Sequence, residues 1–454
     1  MYGLNKRSLW VVLLSLVSVC VSCHMGPDIT FERDIAPLVH KNCTPCHRPD
    51  GGAPFNLITY TDVSKRAKMI KHVTSSRYMP PWPADPHYSR FLNERLLSED
   101  EINLISEWYQ QGFKAGDTSV ISYPLFADGG SVLGKPDMII PIEPIPIKNN
   151  NKDRFYVVKI PYEMTAGKFV RAVEFVPGQP GYAHHMNGHY LSFADQTNPL
   201  DGLRIADIES DSFEKEFNRL KLLNQDGSIP QRVHSAVNYL PGAFGTIYPK
   251  GIGGFIMSKK GAFVANDIHY GPSRQNRIDS SQLFVYFSDK APLRPTYELM
   301  LGTNGVSPII PTLQVPAGKM TKHTTQVTIG NDISILTVNP HMHLIGKRLK
   351  AYAVKPNGDT MKLIYIPSWQ FRWQYFYTFR NPVRIPKGSA IFVEAEFDNT
   401  KNNPNNPFDP PRLIGERLDR GGASMRTTDE MLQFIITYMP YQKGDEQIDL
   451  SKPE

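Results

Sequence analysis

Pro340-His341-Met342-His343-Leu344-Ile345-Gly346-Lys347, followed at 349–354 by Leu-Lys-Ala-Tyr-Ala-Val, is the stretch whose reading decides the fold of most of this chain. On a strand, residues i and i+2 point to one face, so His341 and His343 project together while Met342 faces the other way. The run at 349–354 carries the β-branched and aromatic character of a second strand. Working outward, similar runs stand at 154–160, 168–176, 282–287, 324–329 and 390–397, separated by Gly, Pro and Asn. Gly (33) and Pro (38) are numerous enough to favour many turns and short strands over long helices. From about residue 125 the chain therefore reads as all-β. It is long enough for two jelly-roll-like sandwich domains, 126–295 and 296–454, with linker or turn character at 289–294 and 302–308. Residues 402–411 read as a long loop, since structured pattern resumes after them. No internal repeat is obvious.

Thirteen histidines occur, unevenly placed. Past residue 125 they cluster as Ala183-His184-His185-Met186, Asp267-Ile268-His269-Tyr270-Gly271 and Pro340-His341-Met342-His343, with His189, His234 and His323 isolated. A single buried histidine usually satisfies a hydrogen bond in the core. Two pairs and a third in a turn-rich β context point instead to metal. His184 and His185 alternate sides on an ideal strand, so joint ligation needs a bulge or a different ring nitrogen from each. Imidazole and thioether without carboxylate in the clusters favour copper over magnesium, calcium or non-haem iron. Zinc fits one histidine cluster, although methionine is a poor zinc ligand. A cysteine-ligated blue-copper site is excluded, because all four cysteines lie before residue 47.

The order His184-His185-Met186, His269-Tyr270-Gly271, His341-Met342-His343-Leu344-Ile345-Gly346-Lys347 and Asp429-Glu430-Met431 resembles the copper type II, ascorbate-dependent monooxygenases. This family includes the peptidylglycine α-hydroxylating and dopamine β-monooxygenases. Tyr239-Leu240-Pro241-Gly242 and 248–253 are similar to the family's segment before its third histidine. The resemblance spans about residues 130–440. It implies two β-sandwiches with one copper each, across an open cleft. His184, His185 and His269 would hold an electron-transfer copper; His341, His343 and Met431 would hold the copper that binds molecular oxygen. Met431 is preferred to Met425 because it follows Asp429-Glu430. Met186 reads as packing, and His189 as a surface residue or a group behind the ligands. The implied activity inserts one oxygen atom into a C–H bond and consumes two electrons. Asn339 and Ile435 stand where the amidating enzyme places an arginine and a tyrosine that hold a peptide carboxylate. A small neutral or apolar substrate is therefore expected rather than a peptidyl-glycine. The family's disulfides are absent, and ascorbate need not be the upstream donor.

Residues 30–115 read differently. Phe31, Ile35, Leu38 and Val39 have the spacing of one helix face over 31–41, a second helix is expected over 61–74, and Ser98-Glu99-Asp100-Glu101 is a capping box opening a third, with Ile102, Ile105 and Trp108 on its inner face. Between them, Cys43-Thr44-Pro45-Cys46-His47 allows two thiols to add to haem vinyl groups while His47 binds iron. No second cysteine pair exists to complete a zinc site. Met79 is the expected sixth ligand, in an extended Arg77-Tyr78-Met79-Pro80-Pro81-Trp82 strap; Met69 is the rival and reads as core. A small all-α cytochrome c domain at 24–125 carrying one covalent haem c follows, and its one-electron chemistry suits refilling two copper ions.

Lys6 and Arg7 precede an apolar run at 9–21, too short to span a membrane comfortably but right for a signal-peptide core. Ser22-Cys23 resembles a bacterial lipoprotein processing site, with Cys20 where an aliphatic residue is usual. Residues 1–23 are thus expected to be a leader. The mature chain would be periplasmic or an outer-membrane lipoprotein, touching the membrane through lipid on Cys23; plain cleavage nearby is the alternative. A formal charge of +6 without any Lys/Arg run gives no reason to invoke nucleic acid. Two rival functions are a haem/copper relay without oxygen chemistry and a β-sandwich binding protein with a cytochrome attached.

Overall fold

A computed structural model describes residues 28–452 apart from 50, 93, 125–130, 132, 209, 211, 242–244, 250 and 417–426. The leader with Cys20 and Cys23, and also Met425, lie outside the described residues.

The N-terminal segment is helical. Thr30 opens it by accepting from Arg33 N; a π-helical turn Phe31–Ile35 runs into Ala36–Asn42, burying Phe31, Ile35, Leu38 and Val39 as the spacing requires. The helix expected over 61–74 is divided into Tyr60–Ser64 and Ala67–Ser75, the first opened by a Thr59/Asp62 capping box. Met69 on the second piece is 41% exposed, so it is a surface residue and not core as expected. The Ser98/Glu101 box makes both its hydrogen bonds and opens Glu99–Gln110, whose Ile102, Ile105 and Trp108 are buried. These side chains share one apolar core with Leu57, Val63 and Ile70. Beyond it the chain crosses to another part of the molecule. Asp85 N donates to Tyr365 O (2.8 Å) and Leu92 N to Thr378 O (2.7 Å), while Ala84 and Phe91 bury their side chains in the core of the second sandwich.

The remainder is antiparallel β-structure in paired sheets. In the first sandwich one sheet has the order Met138–Pro141, Gln282–Ser288, Lys168–Val176, Thr246–Ile247, with Phe255–Met257 also on Lys168–Val176. The other runs Ile205–Asp207, Arg154–Glu163, Lys260–Tyr270, Ala183–Ser192, Gln231–Tyr239. Val173, Phe175 and Val285 from one face meet Val158, Ile160 and Phe263 from the other. In the second sandwich, Tyr297–Gly302, Leu432–Pro440, Ile333–Met342 and Tyr377–Ile385 oppose Met320–Thr328, Ala390–Asp398, Gly346–Val354 and Thr360–Ile366. Alternation does the sorting: Ile391, Val393, Ala395 and Phe397 of Ala390–Asp398 are all buried, the residues between them are not. Truncating one such core side chain to alanine costs about 2–5 kcal/mol. The expectation of β-sandwich architecture over most of the chain is met.

Candidate metal centres

His184 and His185 sit on Ala183–Ser192, and His269 on the neighbouring Lys260–Tyr270. In the ladder between them His269 pairs with His185 but Tyr270 pairs with Ala183, so His184 is the extra residue of a β-bulge. This is the device needed to turn two successive histidines toward one point. The His184 and His185 rings lie 4.8 and 4.9 Å from that of His269, centroid to centroid. Gly271 makes room: a Cβ there would stand 2.5 Å from His184 Nε2.

The ring nitrogens of this cluster are sorted by their partners. His269 Nε2 is 2.8 Å from Asp153 Oδ1 and His185 Nε2 is 3.1 Å from Asp267 Oδ2. Their Nδ1 atoms face each other at 3.4 Å. A carboxylate behind a ring nitrogen holds the proton there and leaves the other lone pair for a metal. With both Nε2 atoms protonated against their carboxylates, the two Nδ1 lone pairs converge on a point where both can bind one cation. Asp153, His184 and His269 also bring one ligand atom each within 4.8 Å of one another. The reading that no carboxylate accompanies these clusters is therefore corrected. Burial lowers the His269 pKa to about 4, opposed by its bond to Asp153, so the imidazole is neutral at ordinary pH.

His341 and His343 come at the end of Ile333–Met342 and just beyond it, with ring centroids 5.0 Å apart. Their Nδ1 atoms, not Nε2, are the ones engaged behind. His341 Nδ1 meets Gln374 Oε1 in a short hydrogen bond, and His343 Nδ1 is 3.1 Å from Asp429 O. Nε2 is thus the nitrogen each offers to a ligand. Desolvation lowers His341 to about 4. Met431 is buried next to them, since Met342 pairs with Leu432 and His341 with Gln433. Glu430 fixes this corner. Its Oε2 accepts from His343 N (2.9 Å) and Met431 N (3.1 Å), and its Oε1 from Ile345 N (2.8 Å). Burial pushes this carboxyl up to about 8, against the backbone donors that favour its charge. Trp369 Nε1 donates to His343 O at 3.1 Å.

One histidine of each cluster lines a common cleft of about 890 Å³, His185 and His341, together with Asn187, Gln374 and Tyr375 among others. The Phe371 ring stands edge-on to both, 6.3 Å from His185 and 5.8 Å from His343. Residues 296–407 match the model of the copper type II ascorbate-dependent monooxygenase, C-terminal domain. That match supports this monooxygenase family, a family of copper oxidoreductases, for the second sandwich. His341 and His343 fall inside the matched residues and Met431 beyond them. No curated protein matches the chain. Among solved structures, one of infectious bursal disease virus Gx strain is 8% identical, covering 71% of this chain and 78% of that one at a TM-score of 0.16. The VP2 subviral particle of the same virus gives 8%, 70%, 84% and 0.15. Likenesses this weak carry no fold argument.

Other expected residues fall as follows. His323 is a satisfied core histidine, with Nδ1 2.8 Å from Pro311 O and Nε2 2.9 Å from Thr321 Oγ1. His189 is buried, and desolvation pushes it down to about 3; His234 Nδ1 stands 4.0 Å from Glu298. Met186 is wholly buried packing, as read. In the helical segment His47 Nδ1 is 3.0 Å from Phe55 O, which leaves Nε2 as the ring nitrogen not engaged by that carbonyl. Cys43 and Cys46 are in no disulfide. Cys46 Sγ lies 3.4 Å from Arg95 Nη1 and 3.8 Å from Pro241 O of the first sandwich. Met79 is half-buried, its N–H donating to Val73 O (3.0 Å).

The residues missed in the sequence are Asp153, Asp267, Gln374 and Phe371. Asp267 had a signal, being two residues before His269 on the same strand. The other three are adjacent only through the fold.

Proposed function

We propose that this chain is an exported copper-dependent monooxygenase that hydroxylates a C–H bond of a small organic substrate with O2. Its N-terminal segment, in this reading, is a cytochrome c domain that delivers electrons through a covalent haem held by Cys43, Cys46 and His47, with Met79 as sixth ligand. The observation that carries the copper reading is the pair of histidine clusters on one cleft, each with its tautomers set from behind. Copper bound there supplies one-electron redox chemistry and a place for O2.

What the chain does around it follows from the residues. His184, His185 and His269 are turned inward by the bulge and by Asp153 and Asp267. His341 and His343 are aimed by Gln374 and by Asp429 O, and Glu430 locks their spacing to Met431, whose thioether favours the reduced, softer ion. Phe371 stands edge-on between the two clusters, against His185 and His343. Asn339 donates its side-chain N–H to Tyr375 O (3.0 Å) and lines the cleft beside Ile435's strand, where a peptide carboxylate would need a cation. A neutral or apolar substrate suits it. The matched family is described as ascorbate-dependent; the haem is the proposed donor here. Export, with lipid on Cys23 and a periplasmic or outer-membrane location, belongs to the same proposal.

Copper-loaded protein should take up O2 faster when the right substrate is added, at one O2 per product and two electrons per turnover. Copper binding without substrate-stimulated uptake across a broad screen of neutral C–H substrates would instead describe an electron relay.

A further inference from the structure

The segment joining Thr360–Ile366 to Tyr377–Ile385 touches both histidine clusters. Trp369 begins it, its backbone N–H donating to Lys347 O (2.8 Å) and its Nε1 to His343 O (3.1 Å). Gly346 makes room for that indole, since a Cβ there would lie 2.8 Å from Trp369 Cδ1. Gln374 closes the turn with both ends of its amide. Nε2 donates to Phe371 O (2.8 Å), while Oε1 meets His341 Nδ1. Phe371 is thereby held by the same side chain that aims His341. Its ring stands at 86° to His185 of the first cluster and at 80° to His343 of the second, with centroids 6.3 and 5.8 Å away. Both separations fall within the range of about 4.5–7 Å over which edge-to-face rings attract. The clusters also act on each other: after burial and Gln374, the groups that bear on the His341 pKa are Asp267 and His185.

Two metals across an open cleft, as the resemblance implies, would have solvent or substrate between them. Here a ring of the protein itself meets both ligand sets. His185 and His341 line the cleft but Phe371 and His343 do not, so the ring is set apart from the space a substrate would fill. Resting on the proposed copper sites, we infer that Phe371 is the electron bridge between the two clusters, on a path from the His185 ring through Phe371 to the His343 ring. An electron tunnels through atoms in van der Waals contact with much less loss than through open solvent. One electron moves in each event: the copper at the first cluster is oxidised by one unit and that at the second reduced by one. No bond forms or breaks and no proton moves. Substrate on the cleft side need not complete the path, so the transfer proceeds without it.

The test uses full-length, copper-loaded protein without substrate and compares wild type with Phe371→Leu and Phe371→Tyr. Trp373→Leu is the control, from the same segment, because its ring stacks on Tyr375 rather than on a histidine. Copper content and the dipolar coupling between the two copper(II) ions, read by electron paramagnetic resonance, report loading and separation. A substoichiometric dose of ascorbate is then mixed in, and rapid-freeze spectra follow the two copper(II) signals as the electron redistributes. Phe371→Leu should slow that exchange by about tenfold, or about 1.4 kcal/mol expressed as a barrier, with loading and coupling as in wild type. Phe371→Tyr keeps the ring and should exchange at the wild-type rate; Phe371→Met takes the place of Phe371→Leu if leucine disturbs loading. An unchanged rate in a fully loaded ringless variant overturns the bridge and leaves both copper sites intact. Equal slowing in Phe371→Tyr or Trp373→Leu overturns it too, as does slowing that comes with weaker dipolar coupling. Fewer than two coppers in wild type overturns the two-site reading itself, and the bridge with it.

Discussion

The two histidine clusters each put one ring, His185 and His341, on the same cleft but are built as opposites. In the first, Nε2 of His185 and His269 is held by the carboxylates of Asp267 and Asp153, and Nδ1 turns inward. In the second, Nδ1 of His341 and His343 is held by an amide oxygen and a backbone carbonyl, and Nε2 is offered. Anionic partners make an imidazole more basic and stabilise the higher charge of an oxidised metal; neutral partners beside a thioether do the reverse. In the proposed function, copper at the first site would give its electron up more readily and copper at the second would be held in the reduced form. Strand geometry differs as well: successive His184 and His185 need a bulge to share a face, whereas i and i+2 histidines already do.

The largest effect is expected where one group supports a whole corner. Glu430→Ala removes the acceptor of three buried N–H groups and should destabilise the second sandwich by about 3–5 kcal/mol, read as a lowered melting temperature; Glu430→Gln should recover part of it. An unchanged melting temperature would separate Glu430 from the geometry of Met431. His269→Ala should next reduce bound copper from two ions per chain to one, leaving the second cluster filled. Loss of both coppers would mean the sites are not independent.

Smaller changes sharpen the contrast of partners. Asp153→Asn should weaken copper at the first cluster by about 10–100-fold and raise its potential. Gln374→Ala should loosen the second cluster through ring orientation, with little change of potential. If both variants shift potential alike, the charge argument fails. The pH dependence should be the mildest. His269 and His341 have folded pKa values near 4, below the usual histidine value, so copper affinity should stay nearly level from pH 7 and fall only as pH approaches 4. In the metal-free protein the unfolded chain takes up protons between these values and the folded one does not, so stability falls as pH drops from about 6.5 to 4. A release midpoint near pH 6.5 would show the histidines to be ordinary exposed ones.

How much of this was legible in the sequence depends on how local each cause is. The Ser98/Glu101 box and the alternation of Ala390–Asp398 act over a few residues, and both elements stand where local chemistry puts them. The bulge at His184 was anticipated as a need, because two adjacent ligands cannot otherwise share a face. Met69 stands on the wet face: an apolar residue on a short helix has no neighbour in sequence to fix which face is buried. Asp153 and Phe371 were invisible because each reaches its histidine only after sheets or sandwiches have paired. The crossing of Trp82 onto the second sandwich is likewise a property of three segments at once.

The most direct test is the electron paramagnetic resonance spin count of oxidised, copper-loaded protein, taken with its copper and haem contents. Two type-2 copper signals per chain, differing in their ligand hyperfine pattern, are the expected result. A single copper or none would contradict the two-site account and leave the clusters as structural histidines.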